Sequence, residues 1–445
     1  MQLQNWWYTT LLGTEEAMLP FLEGDHQTDV LVVGAGAAGL AAALTLSEAG
    51  RKVAILERNV CGGSSTGKSA GFLTPDSELE LSQLVRRFGP QGAKDLWECA
   101  THGIDLMVGA IRAFEIHCDL QVQDSLFLGN DKGGWEDAQE EVKARAELGY
   151  PQTIYDESQL KGVLGAEGYT GAVRYPGTYG VDALRYAQGI KQVLLERGVR
   201  IFEGSEAKRI EGHRVITHAG SISADQIIFC IDKPQAPLVP MADEVYHAQT
   251  FLSISEPLSD AEVAKLFPDK PMQCWDSDLV YSYYRLTGDQ RLLLGGGSAL
   301  TTFSGNDVNS DRVIRRVVKG FKNHYPYLRE LEFVQFWPGR IDCTRDLMPT
   351  VVCHPDNPHV HFVLGCVGLP WATFCGDFAA RNVLGTAEAD DQKYYRYFAG
   401  NRDFLLPTWL ERIVGKQMVF SLNNAWSKYK QVDTDRHLVY QKGQF

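Results

Sequence analysis

Between Asp29 and Glu57 the chain reads DVLVVGAGAAGLAAALTLSEAGRKVAILE: an apolar run, a glycine turn, a stretch of small residues and a second apolar run closed by an acid. Short continuous apolar runs are what strands buried on both faces leave in a sequence, and Ala- and Leu-rich stretches favour helix. The pattern predicts a strand, a helix and a second parallel strand. Helical spacing then runs from Glu78 to Phe88 and from about Ala93 to Phe114, where Leu96, Ala100, Ile104, Met107, Val108 and Ile111 share a face. From Asp119 the period changes to short strands (LQVQDSLFLG), a helix near Trp135 to Leu148, and the stretch GYTGAVRYPGTYGVDA. A helix over Leu184 to Arg197 leads to the strands VRIFEG and QIIFCI. There follow a strand YHAQTFLSIS, a hairpin LVYSYYRLTGDQRLLLGGG turning at Gly288 and Asp289, and a helix from about Asp311 to Tyr325. The strand HVHFVLG, the turn CVGLP and a helix from Trp371 to Leu384 close the body.

These elements predict an α/β fold. A Rossmann-like nucleotide domain is assembled from 29–115, 170–235 and 336–385, and a mostly antiparallel α+β substrate domain (116–169 and 236–335) is inserted into it. An aromatic leader, 1–28, precedes them, and a helical extension, 386–445, follows. The formal charge of −13 argues against sequence-independent nucleic-acid binding, which needs clustered Lys and Arg. Nine cysteines without CxxC pairs read as reduced thiols, so the expected compartment is cytoplasmic. The start MQLQNWWYTTLLGTEE lacks the basic, then apolar, signature of a signal peptide, and no transmembrane segment is expected.

The chemistry of the opening stretch follows from its glycines. Gly34 permits the tight turn, Gly36 lets backbone approach a pyrophosphate, and Gly39 lets the helix pack close to the strand; the free N–H groups of Ala37 and Ala38 face the phosphates, and Glu57 accepts from a ribose hydroxyl. An ordinary βαβ unit with turn glycines is the competing reading. A second glycine loop, CGGSSTGKSAG, matches the phosphate-binding pattern GxxxxGKS at Gly62 to Ser69. That pattern needs a helix opening directly on its Lys-Ser pair, and Gly71 and Pro75 interrupt any such helix. Ser64, Ser65, Thr66 and Lys68 are better read as a second phosphate and ribityl cradle for the same dinucleotide.

Together, the approach PFLEGDHQTDVLVVGAGAAGL, Glu57 and CGGSSTGKSAG resemble the FAD-dependent D-amino-acid oxidase and glycine oxidase superfamily. YGVDALRYAQGI, WPGRIDCTRDLMP and GCVGLPWATFCG extend the likeness over most of the chain. The aromatic leader and aromatic tail resemble the gamma-glutamylputrescine oxidoreductase type. The resemblance implies non-covalent FAD, with further contacts from Arg58, Gly63, Ser69, Ala70, Gly71, Ala207 and Arg340. It also implies an amine or amino-acid substrate oxidised at its C–N bond by hydride transfer to flavin N5. The electron acceptor stays open between oxygen and another carrier. Lys68 and Ser69 stand for the usual Arg-Asn, Gly368-Leu369-Pro370 for Gly-His-Gly, and Leu293 near the position of an oxygen-activating lysine. A NAD-linked dehydrogenase, or a flavin-binding subunit without turnover, remains the alternative.

Pro370 suits the first turn of the last body helix, whose N-terminus would stabilise negative charge on a reduced flavin ring. Gly368, Leu369, Pro370, Trp371, Ala372 and Thr373 are therefore assigned to the ring. In the hairpin, period two sends Tyr281, Tyr283 and Arg285 to one face. Aromatics to cage an amine and an arginine to pair a carboxylate suit an amino-acid-like substrate, so Tyr283, Arg285, Arg340 and Trp371 are the candidate catalytic residues. His354, His359 and His361 lack partners at metal-binding spacing, and no metal is expected.

Overall fold

A computed structural model describes residues 1–12, 18–76, 78–235, 238–278, 280–297, 310–387, 391–400 and 410–415, with positions 419 and 422 beyond them. The opening pattern folds as its periodicity demands. Strand Gly24–Val33, helix Ala37–Glu48 and strand Val53–Leu56 form a right-sized βαβ unit, and both strand interiors are buried. They lie in an eight-stranded sheet. Its parallel part runs Arg200–Phe202, Val53–Leu56, Gly24–Val33, Gly220–Phe229 and Asn357–Leu364, and the strands Arg209–Glu211 and Arg214–Ile216 extend it.

A nine-stranded, mostly antiparallel sheet stands beside it, ordered Gln2–Leu3, Phe333–Thr344, Val245–Pro257, Arg291–Gly296, Tyr283–Leu286, Met272–Asp276, Asp124–Gly129, Gly171–Tyr175, Thr153–Asp156. The mixed α/β class expected from the sequence is what the chain adopts. Two expected boundaries fall differently against the sheets. Strand Gly171–Tyr175 pairs with Asp124–Gly129, and Phe333–Thr344 pairs with Val245–Pro257 along its whole length, so both belong to the antiparallel sheet. In each case the neighbouring glycine- or proline-rich sequence hid which partner the strand takes.

The two expected helices after the second glycine loop form one run, Leu81–Ala113, broken at Gly89, whose φ of 71° precedes Pro90. The helix Leu369–Leu384 packs on Ala37–Glu48 so closely that a Cβ on Gly376 would meet the Ala38 carbonyl oxygen at 2.0 Å. Of the expected helical extension, Gln392–Phe398 and Leu410–Val414 are helical; most of the rest lies outside the described residues. No helix among them is long and apolar enough to cross a membrane.

Candidate active site

Gly34 and Gly39 meet backbone where a side chain would sit, and Gly36 meets the Thr66 hydroxyl. A Cβ on Gly34, whose φ is 102°, would come within 2.3 Å of the Cys230 carbonyl oxygen, and one on Gly39 within 1.9 Å of the Gly34 carbonyl oxygen. The helix begins at Gly36 without a side-chain cap. Its first N–H, on Ala37, donates to Thr66 Oγ1 at 3.0 Å, which joins the two glycine loops. Glu57 accepts from the Ala35 N–H at 2.9 Å and the Asn59 N–H at 2.8 Å. Burial pushes its carboxyl up, and those two donors pull against the shift.

In the second loop only Thr66–Lys68 is helical, as a single 3₁₀ turn; no α-helix opens on Lys68 and Ser69, so the phosphate-loop geometry is not formed. The loop's carbonyls are held from outside. Asn5 Nδ2 donates to Gly67 O at 2.6 Å, Trp337 Nε1 to Lys68 O at 3.1 Å, Trp7 Nε1 to Ser69 O at 2.8 Å, and Arg285 Nε to Ala70 O at 2.7 Å. Arg58, Ser64 and Ser65 converge on Asp232, a residue the sequence reading missed. Burial works against the charge on Asp232, yet the Ser64 hydroxyl, the Arg58 guanidinium and the Ser65 hydroxyl hold its carboxyl below the ordinary range. Its signal was available: Asp232 stands just past the strand ending QIIFC, as Glu57 does past VAIL.

Both loops open on one cavity of about 530 Å³. Gly34, Gly36, Ala37, Ala38, Glu57, Arg58 and Ala207 line one part of it, and Ser64, Ser65, Thr66, Lys68, Ser69, Ala70, Gly71 and Arg340 the next. Gly368, Leu369, Pro370 and Ala372 bring the N-terminus of the Leu369–Leu384 helix to the same space. That helix, too, begins on a glycine without a side-chain cap, Gly368 at φ 91°. Tyr283 lines the far wall with Tyr281, Trp275 and Phe72, a chain of rings in which Tyr281–Tyr283, Tyr283–Phe72 and Phe72–Trp275 centres lie 5.6, 5.9 and 6.4 Å apart.

Five expected site residues do not line the cavity. Gly39 and Gly63 lie behind it, Gly63 against Val60 and the Tyr8 hydroxyl. Trp371 sits about 200° round the helix from Leu369 and donates Nε1–H to Pro75 O at 3.1 Å; Thr373 is buried beyond the first turn. The largest correction is Arg285. It shares a strand face with Tyr283, but one strand repeat, about 7 Å, carries it under the glycine loop. There it is fully buried and donates to Ala70 O, Val181 O and Leu286 O. It has no guanidinium edge to offer a substrate carboxylate.

The wall opposite is acidic. Asp76, Glu78, Glu80 and Asp276 all line the cavity, a set the sequence reading passed over inside TPDSELE and CWDSD. Burial raises Asp76 to about 6, against hydrogen bonds from Thr74 and Tyr175, and Glu78 to about 7, against the Tyr281 hydroxyl. Asp276 rises to about 7 by burial, and Glu80 is driven well up by burial and then by the charges of Asp76 and Glu141.

A nucleotide turn, a second loop wired to it and a helix N-terminus on one cavity define a dinucleotide-binding protein of the α/β class. The family described as FAD dependent oxidoreductase (DAO) matches residues 29–381, and the chain belongs to it; its cofactor is FAD, which decides the choice left open with NAD. Curated relatives include the probable oxidoreductase OrdL of Haemophilus influenzae, 26% identical over 84% of this chain and 87% of its own. The gamma-glutamylputrescine oxidoreductase of Escherichia coli is 26% identical over 85% of this chain and 89% of its own. Among solved structures, the glycine oxidase of Geobacillus kaustophilus superposes with a TM-score of 0.71 at 20% identity, covering 82% of this chain and 96% of the other. The resemblance seen in the sequence is therefore borne out.

Proposed function

We propose that this FAD-dependent oxidoreductase oxidises the C–N bond of an amine or amino-acid-like substrate, with FAD held non-covalently by the residues that line the two glycine loops. The reading is carried by the continuity of the cavity from the Gly34–Ala38 turn, past Gly368–Pro370, to Tyr283 and Tyr281. The names of the relatives, a gamma-glutamylputrescine oxidoreductase and a glycine oxidase, support it.

The chain fits the cofactor at both ends. Two helix N-termini begin on glycine, at Gly36 and Gly368, and offer positive dipole ends; the first, whose Ala37 N–H is already given to Thr66, would serve a pyrophosphate and the second the pyrimidine side of the ring. Glu57 keeps lone pairs for a ribose hydroxyl. FAD held there would supply a two-electron acceptor for a hydride from the carbon next to the substrate nitrogen, the nitrogen giving up a proton and water hydrolysing the imine product. The protein orients the substrate and excludes water, and the aromatic wall of Phe72, Trp275 and Tyr283 provides the apolar surface for both. No protein base is required once the amine binds neutral.

The test is anaerobic mixing of the yellow holoenzyme with a panel of amines and amino acids. Bleaching of the flavin absorbance by at least one of them is expected. Protein that is colourless and cannot be reconstituted with FAD, or a flavin that no amine reduces, would sink the proposal.

A further inference from the structure

The segment from Phe72 to Glu80 ties the acidic wall to the ring end of the cavity. Its Pro75 carbonyl accepts the Trp371 Nε1–H from the first turn of the helix assigned to the flavin ring, and Asp76, Glu78 and Glu80 follow directly. Across from them stand Asp276 and the rings of Trp275 and Tyr281.

The charges here do not balance. Arg145 is buried behind the wall, paired with Glu141 at 2.7 Å and lying 3.5 Å over the Tyr175 ring. Arg87, on the helix that follows, gives Nη1–H to the Asp346 carbonyl at 2.9 Å. Arg145 reaches Asp76 and Glu80 with its charge from behind the wall, but its salt bridge is with Glu141, so Asp76, Glu78, Glu80 and Asp276 outnumber the cations beside them. Glu80 Oε1 accepts from Trp275 Nε1 at 2.8 Å, while its Oε2 is buried without a hydrogen-bond partner. Glu78 is held by the Tyr281 hydroxyl at 3.1 Å. Burying a carboxylate without a compensating charge is costly; protonation, which burial favours at Asp76, Glu78 and Asp276, is one way to meet that cost. A ligand cation meets it better, because carboxylate hydrogen bonds and aromatic faces both favour an ammonium. The arginine that was to receive a carboxylate is meanwhile committed to backbone.

We infer that the substrate carries a second positive charge: its reacting nitrogen lies at the flavin end, and a distal ammonium is held by Glu78 and Glu80 between Trp275 and Tyr281. The inference rests on the C–N oxidation proposed above and narrows it to diamine-like substrates, preferred over monoamines and over amines ending in a carboxylate.

Three probes of one chain length separate these classes: 1,5-diaminopentane, n-pentylamine and 5-aminopentanoate, each mixed anaerobically with holoenzyme. The rate of flavin bleaching at limiting substrate should favour the diamine over pentylamine by about tenfold or more, the scale of a hydrogen bond to a charged group, with aminopentanoate slowest. Glu80→Gln and Glu78→Gln should each shrink that ratio to within about threefold. Tyr281→Phe, which keeps the ring and removes the hydroxyl on Glu78, should lower it in the same direction and stands in where a glutamate variant fails to fold. Equal rates for diamine and monoamine, or an unchanged ratio in the variants, would overturn the inference while leaving amine oxidation intact. If none of the three bleaches the flavin, amine oxidation is left to the wider panel above. The wall is then decided by 2,5-dimethylhexane-2,5-diamine, which has no hydrogen on its nitrogen-bearing carbons. Saturable perturbation of the flavin spectrum that is lost in Glu80→Gln sustains the wall, and no perturbation overturns it.

Discussion

Arg285 spends all three of its nitrogens on backbone carbonyls, one of which, that of Ala70, belongs to a residue lining the cavity. A Cβ on Gly71 would reach within 1.9 Å of Val181 O and 3.0 Å of Arg285 Nη2, so the guanidinium fills the narrow space the glycine leaves. Arg285→Lys keeps the charge but cannot donate in three directions from one ammonium. It should cost on the order of 2–4 kcal/mol, since buried carbonyls lose their donors, seen as a lower melting temperature and faster loss of FAD on dialysis. The relative rates with 5-aminopentanoate and n-pentylamine should stay as in the native enzyme. A selective loss of the carboxylate substrate would return Arg285 to the pocket. Alternation along the hairpin strand told which face Arg285 takes, because side-chain direction has period two. It could not tell depth, which depends on where the Gly71 loop crosses that face. Glu57 was legible because its motif is local; the place of Asp232 past a strand was legible too, but its partners were not, because Arg58, Ser64 and Ser65 reach it from more than 160 residues away.

The leader works on the second glycine loop as an element. The spacing of the aromatics at 6–8 does not name the surface they choose. Trp7 is 1% exposed, edge-on to Trp337 with ring centres 6.3 Å apart, and both indoles donate to consecutive carbonyls, Ser69 and Lys68. With Asn5 on Gly67 the leader fixes the outward face of the loop, so that Ser64 to Gly71 present their inner face to the cavity. The strand Gln2–Leu3, parallel to Phe333–Thr344, anchors it. Trp7→Phe keeps most of the ring volume and removes the N–H. It should weaken FAD retention by about three- to tenfold, the worth of one buried hydrogen bond whose acceptor is left unpaired, measured by fluorescence of released flavin. Retention equal to the native enzyme would reduce the leader to ordinary packing.

At the scale of the whole molecule the cavity is a joint between two sheets that share few strands of sequence neighbourhood. The parallel sheet contributes the Gly34 turn, Glu57 and Asp232, the antiparallel sheet contributes Thr250, Trp275, Tyr283 and Arg340, and the helix Leu369–Leu384 brings its N-terminus to the same cavity. The βαβ unit and the hairpin were each readable from periodicity; their meeting was not, since it is fixed by long-range contacts such as Ser65 Oγ donating to Arg340 O at 2.8 Å. A ligand spanning such a joint stabilises both sides by mass action, through its affinity for the folded arrangement alone. Removing FAD should therefore loosen the two sides together. Hydrogen exchange on apo and holo protein should show protection falling in parallel at Val33–Ala38, Gly368–Ala372 and Tyr281–Tyr283, while the distant edge strands Thr153–Asp156 and Arg209–Glu211 keep theirs, because local opening follows the contacts that are lost. Loss confined to Val33–Ala38 would mean that the cofactor ends on the parallel sheet. In that case the aromatic and acidic wall lies beyond its reach, and the proposed path from glycine turn to Tyr283 is wrong.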